Sequence, residues 1–128
     1  MNAMMSFSEV EGMPVKRSPH ELVLAYLQAL NDENFDLARR YVGDEMQFTG
    51  ALASRQGADA VFADLERMRL EYDIKKVFVD ANDVCVSYDV TLSGVTVFSC
   101  GWYKVEDGRI CSLKVVFDPR TVLAVRGA

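Results

Sequence analysis

The sequence predicts a single α+β domain whose helices come first and pack on one face of a mainly antiparallel sheet. Apolar residues recur at three- and four-residue steps to about residue 68, and beyond it the period drops to two, with turn-forming residues between the runs. Strands grouped after helices argue for segregated layers rather than for alternating units on a parallel sheet. A chain of 128 residues has the length of one domain and buries roughly two-thirds of its unfolded surface in a single core.

Each element has a local cause. Ser18-Pro19-His20-Glu21 is a capping box with proline in the first helical position, so a helix starts there. Leu22, Ala25, Tyr26, Ala29 and Leu30 give it one apolar face. Asn34 is placed to cap a short second helix carrying Phe35, Leu37, Ala38, Tyr41 and Val42, which Gly43-Asp44-Glu45 ends. Met46 to Thr49 reads as a brief strand and residues 50–57 as a loop. From Ala58, the residues Val61, Phe62, Leu65 and Met68 form the apolar face of a third helix.

The remainder reads as an antiparallel meander of four strands, turning at Asp80 to Asp83, at Ser93-Gly94 and at Glu106-Asp107-Gly108. Asp-Gly between strand-like runs is a strong hairpin signal, because the turn needs a positive φ. Pro119 stops the last strand, having no amide hydrogen for a ladder. These limits predict a flexible arm over residues 1–17, a folded domain over 18–120 and a tail over 121–128.

Composition narrows the function classes. The net charge is −5 with acids scattered along the chain, so a phosphate backbone is repelled and no nucleic-acid partner is expected. No apolar run reaches the roughly 18 residues of a membrane helix, so no membrane partner is expected either. The cysteines Cys85, Cys100 and Cys111 fall in strand-like runs without metal-ligand spacing, which predicts buried reduced thiols. The first residues carry acids where an export signal needs an apolar run, and the expected compartment is the cytoplasm. The one histidine, His20, sits in a helix's first turn, so neither a histidine-rich metal site nor a His-dependent triad is expected. No glycine-rich phosphate loop follows a strand, and no cofactor is expected.

The element order, together with Ala25-Tyr26-Leu27-Gln28-Ala29-Leu30-Asn31, Phe35-Asp36-Leu37, Arg55-Gln56-Gly57 and the run Gly108-Arg109-Ile110 to Phe117, resembles the nuclear transport factor 2-like superfamily, especially ketosteroid isomerases and SnoaL-like proteins. The resemblance covers about residues 18–120. It implies a cone in which a curved sheet wraps three N-terminal helices around an apolar cavity, and a homodimer packed through the outer sheet face.

It also implies site residues, taken position by position. The isomerase's tyrosine donor corresponds to Tyr26, its second donor falls at Cys100, and its base falls between Phe48 and Gly50, where no carboxylate stands. A thiol is a weak donor, so steroid isomerisation by the known route is not expected. Candidate acids are Asp89, on the strand phase opposite Val86, Tyr88 and Val90, and Asp118, at the end of the last strand. Tyr26 and Asp118 are therefore the candidate catalytic residues. If Cys100 faces the cavity, so do Phe98 and Trp102, and with Tyr26, Phe48 and Phe62 they would line a pocket for a small hydrophobic molecule of steroid or polyketide type. Such a pocket could carry isomerase- or cyclase-type proton transfer. The alternative is a noncatalytic dimeric assembly module whose cavity is filled by side chains.

Overall fold

In a computed structural model that describes residues 17–126, the first helix, α1, runs over Pro19–Asn31. Its capping box forms as the sequence requires: Glu21 N–H donates to Ser18 Oγ at 3.1 Å and Ser18 N–H to Glu21 Oε1 at 3.0 Å. Those hydrogen bonds hold the Glu21 carboxyl below its ordinary pKa. Leu22, Val23, Tyr26, Leu27, Ala29 and Leu30 are the buried residues of α1. Asn34 accepts from Leu37 N–H and opens α2, Phe35–Arg40. The third helix, α3, is Ala58–Met68, and it buries Val61, Phe62 and Leu65 as its periodicity predicts.

Six strands form one sheet: β1 (Val42–Thr49), β2 (Ser54–Gln56), β3 (Glu71–Asp80), β4 (Asp83–Leu92), β5 (Val95–Glu106) and β6 (Arg109–Phe117), in the order β2-β1-β6-β5-β4-β3. The sheet is curved. The meander β3 to β6 is antiparallel, and the turns Ser93-Gly94 and Asp107-Gly108 hold positive φ at both residues, the signature of tight hairpins. Helix α1 packs on β3 and β4, and α3 packs on β1 and β2.

Three features differ from the sequence reading. β1 begins at Val42, four residues before the expected strand, because it pairs in parallel with β6, Val42 opposite Ile110 and Phe48 opposite Leu113. The expected loop contains β2, which pairs with β1 through Phe48 and Arg55. Among the described residues the helices number four rather than three: residues assigned partly to a tail form α4, Pro119–Arg126, which packs on β5 and buries Val122. Pro119 both ends β6 and suits the first turn of α4, where its missing N–H is not needed, while the Asp118 carboxylate accepts from Arg120 N–H at 3.0 Å. Residues 1–16 of the expected arm lie outside the described residues. Among the described residues no helix is long and apolar enough to cross a membrane.

Alternation along the strands settles which sheet face is inside. Val84, Val86 and Tyr88 are buried on β4, and across the ladder they oppose Tyr103, Gly101 and Ser99 of β5, also buried. The other phase of β5 is outside, with Phe98 63% and Trp102 43% exposed. Tyr88 and Tyr103 share a hydrogen bond of 2.8 Å between hydroxyls in the core. Gly101 makes room for it: a Cβ there would run into the Tyr88 hydroxyl and lie 3.0 Å from Tyr103 Cε1.

One side chain substitutes for a sheet neighbour. Asn31, at the end of α1, donates from Nδ2 to the Tyr72 carbonyl and accepts from Tyr72 N–H at Oδ1, both at 2.8 Å, which pins the helix to edge strand β3. Asn31→Ala should lower unfolding stability in urea by about 1–2 kcal/mol, the net value of two such bonds, with Asn31→Asp, which keeps only the acceptor, in between. Gly101→Ala should cost about 1–3 kcal/mol by overpacking. In a Tyr88→Phe background the same change should cost less, because the obstructing oxygen is gone; an undiminished cost in that background would refute the packing account.

Candidate functional site

Inside the curve of the sheet lies a cavity of about 660 Å³. Its walls are mainly apolar, with Val61, Leu65 and Met68 from α3 facing Val90, Val97, Leu113 and Val115 from β4, β5 and β6. Val122 of α4 and the segment Gly50 to Ala53 also border it.

The deep end is built from tyrosines. Tyr26 from α1, Tyr72 from β3 and Tyr88 from β4 line the cavity, and Tyr103 stands behind them with its ring 6.2 Å from that of Tyr26. Burial pushes all four phenols above their ordinary pKa, because the phenolate would lose its hydration; neighbouring phenols add to the effect at Tyr26, Tyr72 and Tyr103, whereas the hydrogen bond with Tyr103 offsets part of it at Tyr88. They are neutral at physiological pH and can donate hydrogen bonds, but they are not bases. Tyr88 and Tyr103 satisfy each other. Tyr26 is 2% exposed, its hydroxyl makes no hydrogen bond among the described residues, and the residue borders the cavity.

The accessible end is charged. Asp64 of α3 forms an ion pair with Arg55, whose Nε lies 2.9 Å from Oδ2, and accepts from Arg67 Nη2 at 2.8 Å through Oδ1, and all three side chains border the cavity. Arg55 reaches this place from β2, whose pairing with β1 sets its register. Arg67 follows Asp64 by three residues on the helix and so shares its face.

The expected site residues divide. Tyr26 and Phe48 line the cavity. Phe62 lies one layer behind, its ring edge-on to Tyr26 at 6.5 Å. Phe98, Cys100 and Trp102 do not face the cavity: direct partners across an antiparallel ladder share a face, and the inward set of β4 selects Ser99, Gly101 and Tyr103 instead. Trp102 donates from Nε1 to Asp83 at 2.8 Å on the outer face, with the Lys114 ammonium 5.2 Å from its ring centre.

Asp118 is likewise outside the cavity. Arg120 binds its carboxylate through Nε at 2.9 Å and Nη2 at 2.5 Å, and these bonds with the backbone N–H hold its pKa down to about 2. The carboxylate so engaged starts α4, and Asp118 borders, with Phe98 and Cys100, a second hollow apart from the cavity. Asp89 is also outside, 3.7 Å from Lys75 Nζ. The three cysteines are free and half-buried rather than enclosed, and partial burial raises the Cys85 and Cys111 thiols.

Sequence reasoning missed Tyr72, Tyr88 and the Arg55, Asp64, Arg67 cluster as cavity groups. For Tyr88 a signal existed: it stands in the most consistent apolar phase of the chain, Val84, Val86, Tyr88, Val90. For Asp64 there was none, since on the helix period alone it belongs to a solvated face.

Comparison with known proteins agrees with this architecture. A crystal structure of a nuclear transport factor 2-like protein of unknown function from Cytophaga hutchinsonii matches with a TM-score of 0.84 and 37% identity, covering 87% of this chain and 99% of that one. An LEH-like epoxide hydrolase of M. tuberculosis matches with a TM-score of 0.71 and 25% identity, over 85% and 90% of the two chains. A candidate SnoaL-like polyketide cyclase from Shewanella denitrificans matches with a TM-score of 0.73 over 86% and 98% but at 15% identity, which speaks to fold alone. Among curated proteins nothing matches in sequence. The SnoaL-like domain profile matches residues 23–113, most of the chain, and the protein belongs to the SnoaL-like domain family.

Proposed function

We propose that the protein binds a small hydrophobic molecule bearing an acceptor oxygen, a ketone or an ether, with Tyr26 donating a hydrogen bond to it. The observation that carries this reading is a buried hydroxyl, without a partner among the described residues, bordering a largely apolar cavity of about 660 Å³. That volume falls in the range of small-molecule sites and weighs against a hollow filled by side chains. The M. tuberculosis neighbour is an LEH-like epoxide hydrolase, and an epoxide is a molecule with an acceptor oxygen.

Chemistry beyond binding would need a base in the same space. Asp64 is the carboxylate that borders the cavity among the described residues, and both its oxygens are engaged by arginines. A bound molecule would have to compete with both guanidinium groups for those oxygens. The reading is therefore a binding site that polarises a carbonyl, with little turnover of the isomerase or cyclase type.

A homodimer is part of the proposal. On the outer face Phe78, Cys85 and Trp102 lie in register across β3, β4 and β5, and Phe98 and Val116 extend the apolar surface. Contiguous apolar surface rimmed by charge marks an association site, and a second copy fits it by two-fold symmetry.

Titration calorimetry with 2-acetylnaphthalene and its oxygen-free analogue 2-ethylnaphthalene tests the first claim. Tyr26→Phe should weaken the ketone roughly fivefold, about 1 kcal/mol, and leave the hydrocarbon unchanged; equal affinity of the wild type for both compounds would remove the donor from the proposal. For the second claim, sedimentation should give a dimer at micromolar concentration and a monomer for Phe98→Asp/Val116→Asp. A wild-type monomer sinks it.

A further inference from the structure

We propose that the natural ligand is an amphipathic monoanion, an apolar body with a carboxylate at one end, held by Arg55 and Arg67 at the open end of the cavity. The inference rests on the binding reading above and narrows its ligand class.

Charge balance is the first ground. The chain carries −5 overall, yet among the described residues the charged side chains bordering the cavity are two arginines and one aspartate, one positive charge in excess. A protein of that net charge repels anions in general, so a local excess of cations at an apolar hollow selects where an anion can settle.

The second ground is what the second arginine does. Arg55 alone would neutralise Asp64, whose side chain is 25% exposed. Arg67 is 67% exposed, and an ion pair that open to water contributes little to stability. Its consequence is electrostatic: Asp64 draws two guanidinium groups together and can neutralise only one.

Geometry is the third. Arg55 pairs with Asp64 through Nε as an ion pair and donates from Nη1 to the Ser54 carbonyl at 2.9 Å, and Nη2 makes no hydrogen bond among the described residues. Arg67 binds Asp64 through Nη2 only. Donors remain on both groups, and a carboxylate accepts from planar guanidinium groups in this arrangement. Tyr26 is deeply buried while both arginines reach solvent, so apolar contact lies between a deep donor and a superficial anion clamp.

The test uses 2-naphthyl carboxylates with one to four methylene spacers, each paired with its primary amide, titrated calorimetrically into the full-length protein. The best carboxylate should bind about tenfold tighter than its amide, and the preference should shrink as salt rises. Arg67→Gln should remove most of that preference, weakening the carboxylate by more than the amide. If amides bind as well as carboxylates at low salt, or if the preference survives both Arg67→Gln and Arg55→Gln, the anion clamp is wrong and the cavity reading stands. If neither series binds at any spacer length, both fall.

Discussion

The register between β4 and β5 is the constraint on which the rest of the molecule depends. Because Val84, Val86 and Tyr88 oppose Tyr103, Gly101 and Ser99, the same pairing that builds the ladder decides which side chains enter the core. A slip of one residue would put Phe98, Cys100 and Trp102 inside and expel the two tyrosines that now share a hydrogen bond. Gly101 enforces the choice sterically, since only a residue without Cβ lets the Tyr88 hydroxyl lie over the strand.

That register also explains why the hollow has polar ground at its deep end. Tyrosine hydroxyls are costly to bury unless each finds a partner. Two solve the problem mutually, so their rings can fill the sheet's inner face without water. Tyr26 approaches from the helix side, its ring edge-on to both Phe62 and Tyr103, and borders the cavity. Helices α1 and α3 are held on different strands, one by Asn31 on β3 and the other by packing on β1 and β2, so they roof the sheet without closing the space between.

Local signals in the sequence were enough for α1, α2, α3 and the hairpins, because capping boxes, helical periodicity and Asp-Gly turns act over a few residues. β1 was only half visible: Val42-Gly43-Asp44-Glu45 has poor strand propensity, and its pairing partner β6 lies at the far end of the chain. α4 was hidden behind Pro119, which stops a strand and starts a helix with equal ease. Tyr26 was legible through family resemblance, the phase of β5 was not. Both its phases carry large apolar side chains, Val95 and Val97 on one and Phe98 and Trp102 on the other, so hydrophobicity could not choose between them and only the partner strand did.

The charged end of the cavity was illegible for a different reason, and that reason bears on what the site is for. Arg55 and Asp64 come from an edge strand and a helix whose mutual placement depends on the parallel pairing of β1 with β6. Nothing in local pattern separates Asp64 from the solvated acids beside it. Folding brings it between two guanidinium groups at the rim of a space whose other end holds only neutral phenols. Donors therefore stand at both ends, and the one carboxylate between them is spoken for. On the proposed reading, a molecule that matches such a site would present oxygen acceptors at its two extremities and hydrocarbon along its length.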